Sequence, residues 1–311
     1  MPRAPRGLVA NRLVEVTTKT IQGRFLLRPS AETRAILIGV IARAQLQTDM
    51  AIVAVVAMSN HLHFLLLPTS VLQMKQFMQY VNSKVATKVG DLVSWKGKFW
   101  KRRYKDIVVW DDEADQVNRL LYILKHGTKE NLVAKPADWP GLTVVGELCN
   151  GYDDVTGGIW HDRSNENEAK RLGKHVDHED YMQRDLSFKL TPLPCWRHLS
   201  RAKRAKLVRD HVDEITKATR KRHLTNGTRP LGVNKILRQH PHDEPLDMKR
   251  TYAPRFHASS REGKEALWLE WRAFLEAYRW AVDALRAGLD ACFPPGCFPP
   301  GLPYVAERPP P

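Results

Sequence analysis

The alternation of apolar and polar residues divides the first half of the chain into strand-like and helix-like segments. Residues 8–18 alternate and are rich in β-branched side chains, which predicts a first strand. Apolar positions recurring at helical spacing predict amphipathic helices over residues 31–47 and 71–89. The other predicted elements are strands over residues 51–58, 61–68 and 104–110 and a third helix over residues 112–126.

The predicted elements follow the order β-α-β-β-α-β-α, which is typical of a split βαβ arrangement with one added helix. The sequence therefore predicts an α+β fold class. Its first part is a ferredoxin-like split βαβ antiparallel sheet with helices, and a mostly helical extension follows. In the third helix, Val117, Leu121 and Leu124 form the predicted core stripe.

The composition changes after residue 140. Residues 141–174 are polar and interrupted by glycines, whereas residues 200–222 predict a helix dense in positive charge. A second clear helix is predicted over residues 259–287, with a capping box from Ser259 to Glu262 and Gly288 as its cap. The predicted organisation is an α+β domain over residues 1–145, a linker or irregular segment over 146–190, a basic helical extension over 191–290 and a Pro-rich tail over 291–311.

Charge narrows the choice of partner. Lys and Arg number 49 against 34 Asp and Glu, a formal net charge of +15, which favours nucleic acid over a membrane surface. The alternative is a basic protein with no polyanion partner. The four cysteines show no metal-ligand spacing, and no apolar run has the length of a membrane span or of a signal peptide. These features predict a cytoplasmic location and no membrane association.

Two histidines separated by one residue follow the most apolar strand. Alternate residues of a strand point to the same side, so His61 and His63 share a face. Two neutral imidazoles directed at one point form half of a divalent metal site. The alternative is a pair of partly buried histidines satisfied by hydrogen bonds.

The third helix carries a second pair of chemically active residues. Tyr122 and His126 are four positions apart, so they share one helix face, away from the predicted core stripe. A tyrosine on a helix is usually a packing residue, and this alternative stays open on spacing alone.

Residues 96–105 alternate basic and aromatic side chains. Cations follow the phosphates of a nucleic acid, and aromatic rings stack on unpaired bases. The alternative is a solvated charge run whose rings lie in the core. The predicted DNA-binding residues are Lys98, Trp100, Lys101, Arg102, Arg103 and Lys105.

These motifs, in this order, resemble those of the HUH single-tyrosine transposases, and the REP-associated tyrosine transposases are the branch they resemble most. The resemblance covers about residues 8–145 and departs from the family where His126 and Gly127 replace Asn and Pro. The matching residues are Asn60, His61 and His63; Gly97, Trp100, Arg103 and Tyr104; Tyr122 and Ile123; and Asp138, Trp139 and Pro140.

The resemblance implies a function and assigns roles. It implies that Tyr122 is the nucleophile and that His61, His63 and His126 hold Mg²⁺ or Mn²⁺. It implies cleavage and rejoining of single-stranded or hairpin DNA through a 5′-phosphotyrosine, as in DNA transposition. One catalytic tyrosine per chain implies either a homodimer or sequential use of the same tyrosine for two strand cuts. The alternatives are a domesticated, non-catalytic DNA-binding protein and a nickase of the relaxase or rolling-circle replication type.

Overall fold

An antiparallel sheet organises the first part of the chain in the computed structural model, which describes residues 10–245, 254–295 and 297. Its strands lie in the order β2-β3-β1-β4, with β1 antiparallel to both β3 and β4. The strands of the described chain are β1 (Val14–Lys19), β2 (Ala51–Met58), β3 (His61–Leu67), β4 (Lys105–Val109), β5 (Asp154–His161), β6 (Met182–Lys189) and β7 (Phe256–His257).

The helices between these strands complete the split βαβ pattern. Ser30 and Ser70 cap α1 and α2 by accepting hydrogen bonds from backbone N–H groups three residues on. The predicted α+β, ferredoxin-like fold class is therefore confirmed. The helices of the described chain are α1 (Ala31–Thr48), α2 (Val71–Leu92), α3 (Glu113–Leu124), α4 (Val145–Asn150), α5 (Arg163–Arg171), α6 (Arg201–Asn226), α7 (Val233–Leu237) and α8 (Arg261–Arg286).

The two faces of the sheet differ in chemistry. Phe64 of β3 packs edge-on against Phe77 of α2, with ring centroids 5.6 Å apart, so this face lies against α2. The alternate positions of the same strand, His61 and His63, point to the opposite face. On the neighbouring strand β1, Thr17 pairs with His63 and therefore lies on the same polar face.

Two details of the predicted elements differ in the structure. The first strand begins at Val14, and residues 8 and 9 of the predicted strand lie outside the described residues. On α3, the buried apolar residues are Leu120, Ile123 and Leu124. Val117 and Leu121, predicted to face the core, are half-buried and line a surface cavity that Trp196 and α6 also border.

The prediction of a linker or irregular segment over residues 146–190 is wrong for most of its length. Strands β5 and β6 form an antiparallel hairpin that packs on α1. Gly158, one of the glycines that suggested a break, and Gly39 of α1 permit this packing. A Cβ at Gly39 of α1 would lie 1.9 Å from the Ile159 carbonyl oxygen, and one at Gly158 would lie 2.7 Å from the Gly39 nitrogen. Side chains at these positions would separate the hairpin from the helix.

The C-terminal part of the chain returns to the first sheet. Strand β7 pairs in parallel with β4 and adds a fifth strand at that edge. Ser260 caps α8 through the Gly263 N–H, so the predicted box from Ser259 to Glu262 does not form. Ser259 instead donates its backbone N–H and its hydroxyl to the buried carboxylate of Asp115 on α3. Gly288, with φ of 73°, follows the end of α8 as predicted.

The described residues also show the character of the helices and the state of the cysteines. Among the described residues, no helix combines the length and the apolar character that crossing a bilayer requires. Cys149, Cys195, Cys292 and Cys297 are free thiols. Most of the predicted Pro-rich tail lies outside the described residues.

Candidate metal and nucleophile site

Three histidines converge on the polar face of the sheet. His61 and His63 project from β3, and His126 follows the end of α3. The ring centroid of His63 lies 5.0 Å from that of His61 and 4.3 Å from that of His126. A ligand nitrogen from each ring falls within 4.8 Å of the other two. The strand and the helix thus place together the three residues that the sequence predicted as ligands.

Hydrogen bonds orient all three rings in the same way. Each Nδ1 contacts an oxygen atom, an arrangement that favours the proton on Nδ1 and makes Nε2 the candidate ligand atom. The acceptors are Asn60 Oδ1 at 2.6 Å from His61, Glu15 Oε1 at 2.9 Å from His63, and the Ile123 carbonyl at 3.1 Å from His126. Three free imidazole nitrogens at one point are a donor set that fits a divalent cation.

Electrostatics keep these imidazoles neutral. Burial lowers the pKa of His61 and of His63 well below the ordinary value for histidine, and the neighbouring histidines lower both further. Burial also lowers the pKa of His126. Neutral imidazole is the form that binds a metal, so the site is prepared for a cation without proton release.

A tight loop directs His126 towards the strand pair. Gly127 has φ of 89°, a left-handed conformation, and a Cβ there would meet Val133 at 3.0 Å. Behind the loop, the buried indole of Trp139 donates its N–H to the Ala57 carbonyl on β2, at 2.8 Å. The Asp-Trp-Pro motif therefore anchors the loop to the sheet edge.

Tyr122 lies beside the histidines. Its ring centroid is 5.0 Å from that of His126 and 6.0 Å from that of His63. Two cations lie over its ring, with Arg119 Cζ at 4.3 Å and Lys129 Nζ at 4.2 Å from the centroid. The phenol is therefore adjacent to the candidate metal site and surrounded by positive charge.

The buried carboxylate of Glu15, which contacts His63, was not predicted from the sequence. Glu15 of β1 is 1% exposed, accepts a hydrogen bond from His63 and forms an ion pair with Arg119. It thus links the ring of a candidate ligand to a cation that covers Tyr122. The sequence indicated this carboxylate only by placing one acidic residue, Glu15, among the β-branched residues of the first strand.

Lysines from three separate segments surround the same face. The backbone N–H of Lys101 bonds to the Lys19 carbonyl, at 2.8 Å, which lays the predicted DNA-binding segment beside the end of β1. Loss of solvent lowers the pKa of Lys19, and repulsion from Lys105, Lys101 and Lys129 lowers it further. Such mutual repulsion marks a concentration of positive charge that an anion would relieve.

The aromatic residues of this segment serve partly as anchors. Phe99 is buried, and the half-buried Trp100 donates its indole N–H to the Asn82 carbonyl of α2, at 2.7 Å. The basic residues predicted with Trp100 point to solvent instead. The exposed cations are Lys98, Lys101, Arg102, Arg103 and Lys105.

Comparisons with known proteins agree with the motifs. The family model described as "Transposase IS200 like" matches residues 21–125, a span that includes His61, His63 and Tyr122. A solved REP-associated tyrosine transposase bound to a REP hairpin is 16% identical, with a TM-score of 0.41, over 48% of this chain and 86% of its own. A protein from Deinococcus radiodurans R1, assigned as a transposase, is 19% identical, with a TM-score of 0.28, over 39% of this chain and 96% of its own. A search of curated proteins finds no match.

Proposed function

Because residues 21–125 match the family model described as "Transposase IS200 like", we propose that the chain is an enzyme that nicks and rejoins single-stranded DNA through a 5′-phosphotyrosine on Tyr122. The observation that carries this proposal is the position of the Tyr122 ring, 5.0 Å from His126 and 6.0 Å from His63, beside three converging imidazoles. A nucleophile next to a divalent metal site is the arrangement that metal-assisted phosphoryl transfer requires.

His61, His63 and His126 would hold the metal, each through Nε2, because each Nδ1 is already hydrogen-bonded. Mg²⁺ or Mn²⁺ at this position would neutralise charge on the scissile phosphate. Glu15 would fix the ring of His63 and also balance the charge of Arg119.

In the proposed reaction, the Tyr122 oxygen attacks phosphorus and the bond from phosphorus to the 3′ oxygen breaks. The phenol gives up its proton to solvent, and the departing oxygen takes up a proton to become a 3′-OH. The phosphotyrosine conserves the energy of the broken bond, so attack by a second 3′-OH restores the DNA strand and the phenol. Phenolate is a better leaving group than an alkoxide, which favours this return step.

The proposed substrate is single-stranded or hairpin DNA. Lys129 lies over the Tyr122 ring, Lys19 and Lys129 both act on His61 and His63, and Lys101 of the exposed basic segment bonds to the Lys19 backbone. Cations at these positions fit a phosphate backbone that ends at the nucleophile. One catalytic tyrosine per chain requires either a homodimer or sequential use of the same residue for two cuts.

Incubation of the protein with Mn²⁺ and a hairpin oligonucleotide tests this function. A label on the 3′ end of the DNA should stay with the protein after denaturation, and a 5′ label should be released on a fragment with a 3′-OH. Tyr122→Phe should abolish the adduct while keeping DNA binding. The matched control is Tyr80→Phe on α2, whose hydroxyl accepts a hydrogen bond from Arg43 at 3.3 Å, and it should leave the adduct unchanged.

Three outcomes would reject the proposal in different ways. An adduct formed by Tyr122→Phe would assign the nucleophile elsewhere. Hairpin binding without any adduct, with all metals tried, would favour the non-catalytic DNA-binding alternative. Equal cleavage by a His61→Ala, His63→Ala double variant would remove the metal site from the reaction.

A further inference from the structure

A second cluster of metal-ligand side chains lies far from Tyr122 in sequence, in the connection between β5 and β6. His161 ends β5, Glu166 lies on α5, and His178 begins a short helical turn before β6. Their ligand atoms all fall within 4.8 Å of one another. We propose that His161, Glu166 and His178 bind a zinc ion that holds this connection in its folded form.

The geometry places both imidazoles on one carboxylate oxygen. Glu166 Oε2 accepts a hydrogen bond from His161 Nε2 and lies 3.5 Å from His178 Nδ1. The other oxygen, Oε1, accepts from Lys170 at 2.5 Å. Ligand atoms of a tetrahedral zinc with bonds near 2.0–2.1 Å lie about 3.3 Å apart, so the ion requires only small side-chain shifts. Lys170 would remain to orient the bound carboxylate.

Hydrogen bonding alone accounts for only part of this arrangement. Lys170 and His161 already satisfy Glu166, whose side chain is 7% exposed. A second imidazole, that of the 57% exposed His178, lies against the same oxygen. The ring centroids of the two histidines are 4.3 Å apart. A shared cation explains why both rings face one carboxylate.

The connection also lacks the apolar core that would otherwise hold it. In α5 the buried residues are Glu166 and Ala169, and the helical turn at His178–Tyr181 has none. Short segments without a core depend on cross-links such as structural metals. One end is already fixed, because the His161 carbonyl accepts a hydrogen bond from Lys88 of α2 at 2.6 Å. A metal at Glu166 and His178 would join the rest of the connection to that point.

The donor set selects the ion. Two imidazole nitrogens and one carboxylate oxygen form a donor set common in tetrahedral zinc sites. Three protein ligands leave the fourth tetrahedral position to water.

Zinc stoichiometry of the tag-free full chain tests the proposal, measured by competition with a chromophoric chelator. His61→Ala with His63→Ala is the starting variant, since this change removes the cluster beside Tyr122. It should bind one zinc ion per chain. Adding His178→Ala should abolish that binding, and adding His175→Ala, an exposed histidine of the same connection, should not. Zinc binding that His178→Ala leaves unchanged, or no zinc bound by the starting variant, would overturn the proposal.

Limited proteolysis provides a readout of the folding role. Trypsin sites at Lys170, Arg171 and Lys174 lie in the connection. At free zinc ten times the dissociation constant, their cleavage should slow about tenfold in the starting variant, and the His178→Ala form should show no change. Equal cleavage rates with and without zinc would contradict the folding role. Since His178 is exposed, its removal should leave the thermal midpoint in chelator unaltered.

Discussion

Replacing Glu15 by glutamine tests whether the buried carboxylate supports the candidate site. Glu15 contacts His63 on one side and Arg119 on the other, and the side chains of Glu15 and Arg119 are 1% and 11% exposed. Glutamine keeps the shape of the residue and removes its charge. The change leaves the guanidinium of Arg119 buried without a counter-ion and weakens the acceptor that orients His63.

Loss of the Arg119 contact should lower stability, and weakening of the His63 contact should lower metal affinity. Removing one partner of a buried ion pair costs about 3–5 kcal/mol, and we expect the lower end because glutamine still accepts one hydrogen bond. Weakening a group that orients a metal ligand lowers affinity by about 10- to 100-fold. Glu15→Gln should therefore unfold with about 3 kcal/mol less free energy and bind Mn²⁺ at least about tenfold more weakly.

Urea unfolding in chelator and Mn²⁺ titration followed by electron paramagnetic resonance measure these effects separately. The matched control is Glu270→Gln, since Glu270 accepts two bonds from Arg12 at 2.6 and 2.9 Å in a pair that is 20% and 40% exposed. This control should change stability by no more than about 1 kcal/mol and leave Mn²⁺ affinity unchanged. If Glu15→Gln behaved like Glu270→Gln in both assays, the supporting role of Glu15 would be refuted.

Three further predictions follow from the charge and packing of the chain. Alanine at all of residues 101–103 should reduce the salt dependence of single-strand binding by about two in log–log slope, and an unchanged slope would exclude phosphate contact. Gly39→Ala should destabilise the protein by about 1–3 kcal/mol, because the added Cβ would meet the Ile159 carbonyl. The control Gly90→Ala, whose Cβ would have no neighbour nearer than 3.6 Å, should be neutral or stabilising by up to about 1 kcal/mol. Equal effects of the two variants on stability would contradict the contact between Gly39 and Ile159. Removing residues 190–311 should cause aggregation or unfolding, because β7 pairs with β4 and Leu267 of α8 belongs to the buried core; a soluble truncation with a cooperative thermal melt would contradict this.

Local periodicity was sufficient to predict the elements that carry the site. The alternation that places His61 and His63 on one face depends on a few neighbouring residues. Tyr122 lies on α3 as predicted, but His126 lies beyond the end of that helix at Leu124, in the turn that directs its ring. The convergence of the strand pair with the helix depends on strand order, which the split βαβ pattern supplied. The residues that support the site could not be predicted from local periodicity. Glu15 reaches His63 only through the pairing of β1 with β3, which no local pattern specifies.

In the second half of the chain, composition and local spacing did not predict several details of the structure. The glycines of residues 141–174 suggest breaks, but Gly157 and Gly158 both lie within β5. Position 158 requires glycine because α1 leaves no room for a side chain there. Ser259 was assigned to a cap, but its hydroxyl is used by Asp115, 144 residues away. On α3, the half-buried Leu121 lines a surface cavity that Trp196 and α6 also border. Each of these outcomes depends on a partner distant in sequence.

The central claim is that DNA becomes linked to Tyr122, and the most direct measurement is to identify the linked residue. The adduct formed with Mn²⁺ can be digested with nuclease and trypsin and analysed by mass spectrometry. Cleavage after Arg119 and Lys125 releases the six-residue peptide Leu-Leu-Tyr-Ile-Leu-Lys, in which Tyr122 is the only hydroxyl side chain. The account predicts a nucleotide phosphate on this peptide, absent after Tyr122→Phe. A nucleotide found on any other peptide, with Leu120–Lys125 recovered unmodified, would contradict it.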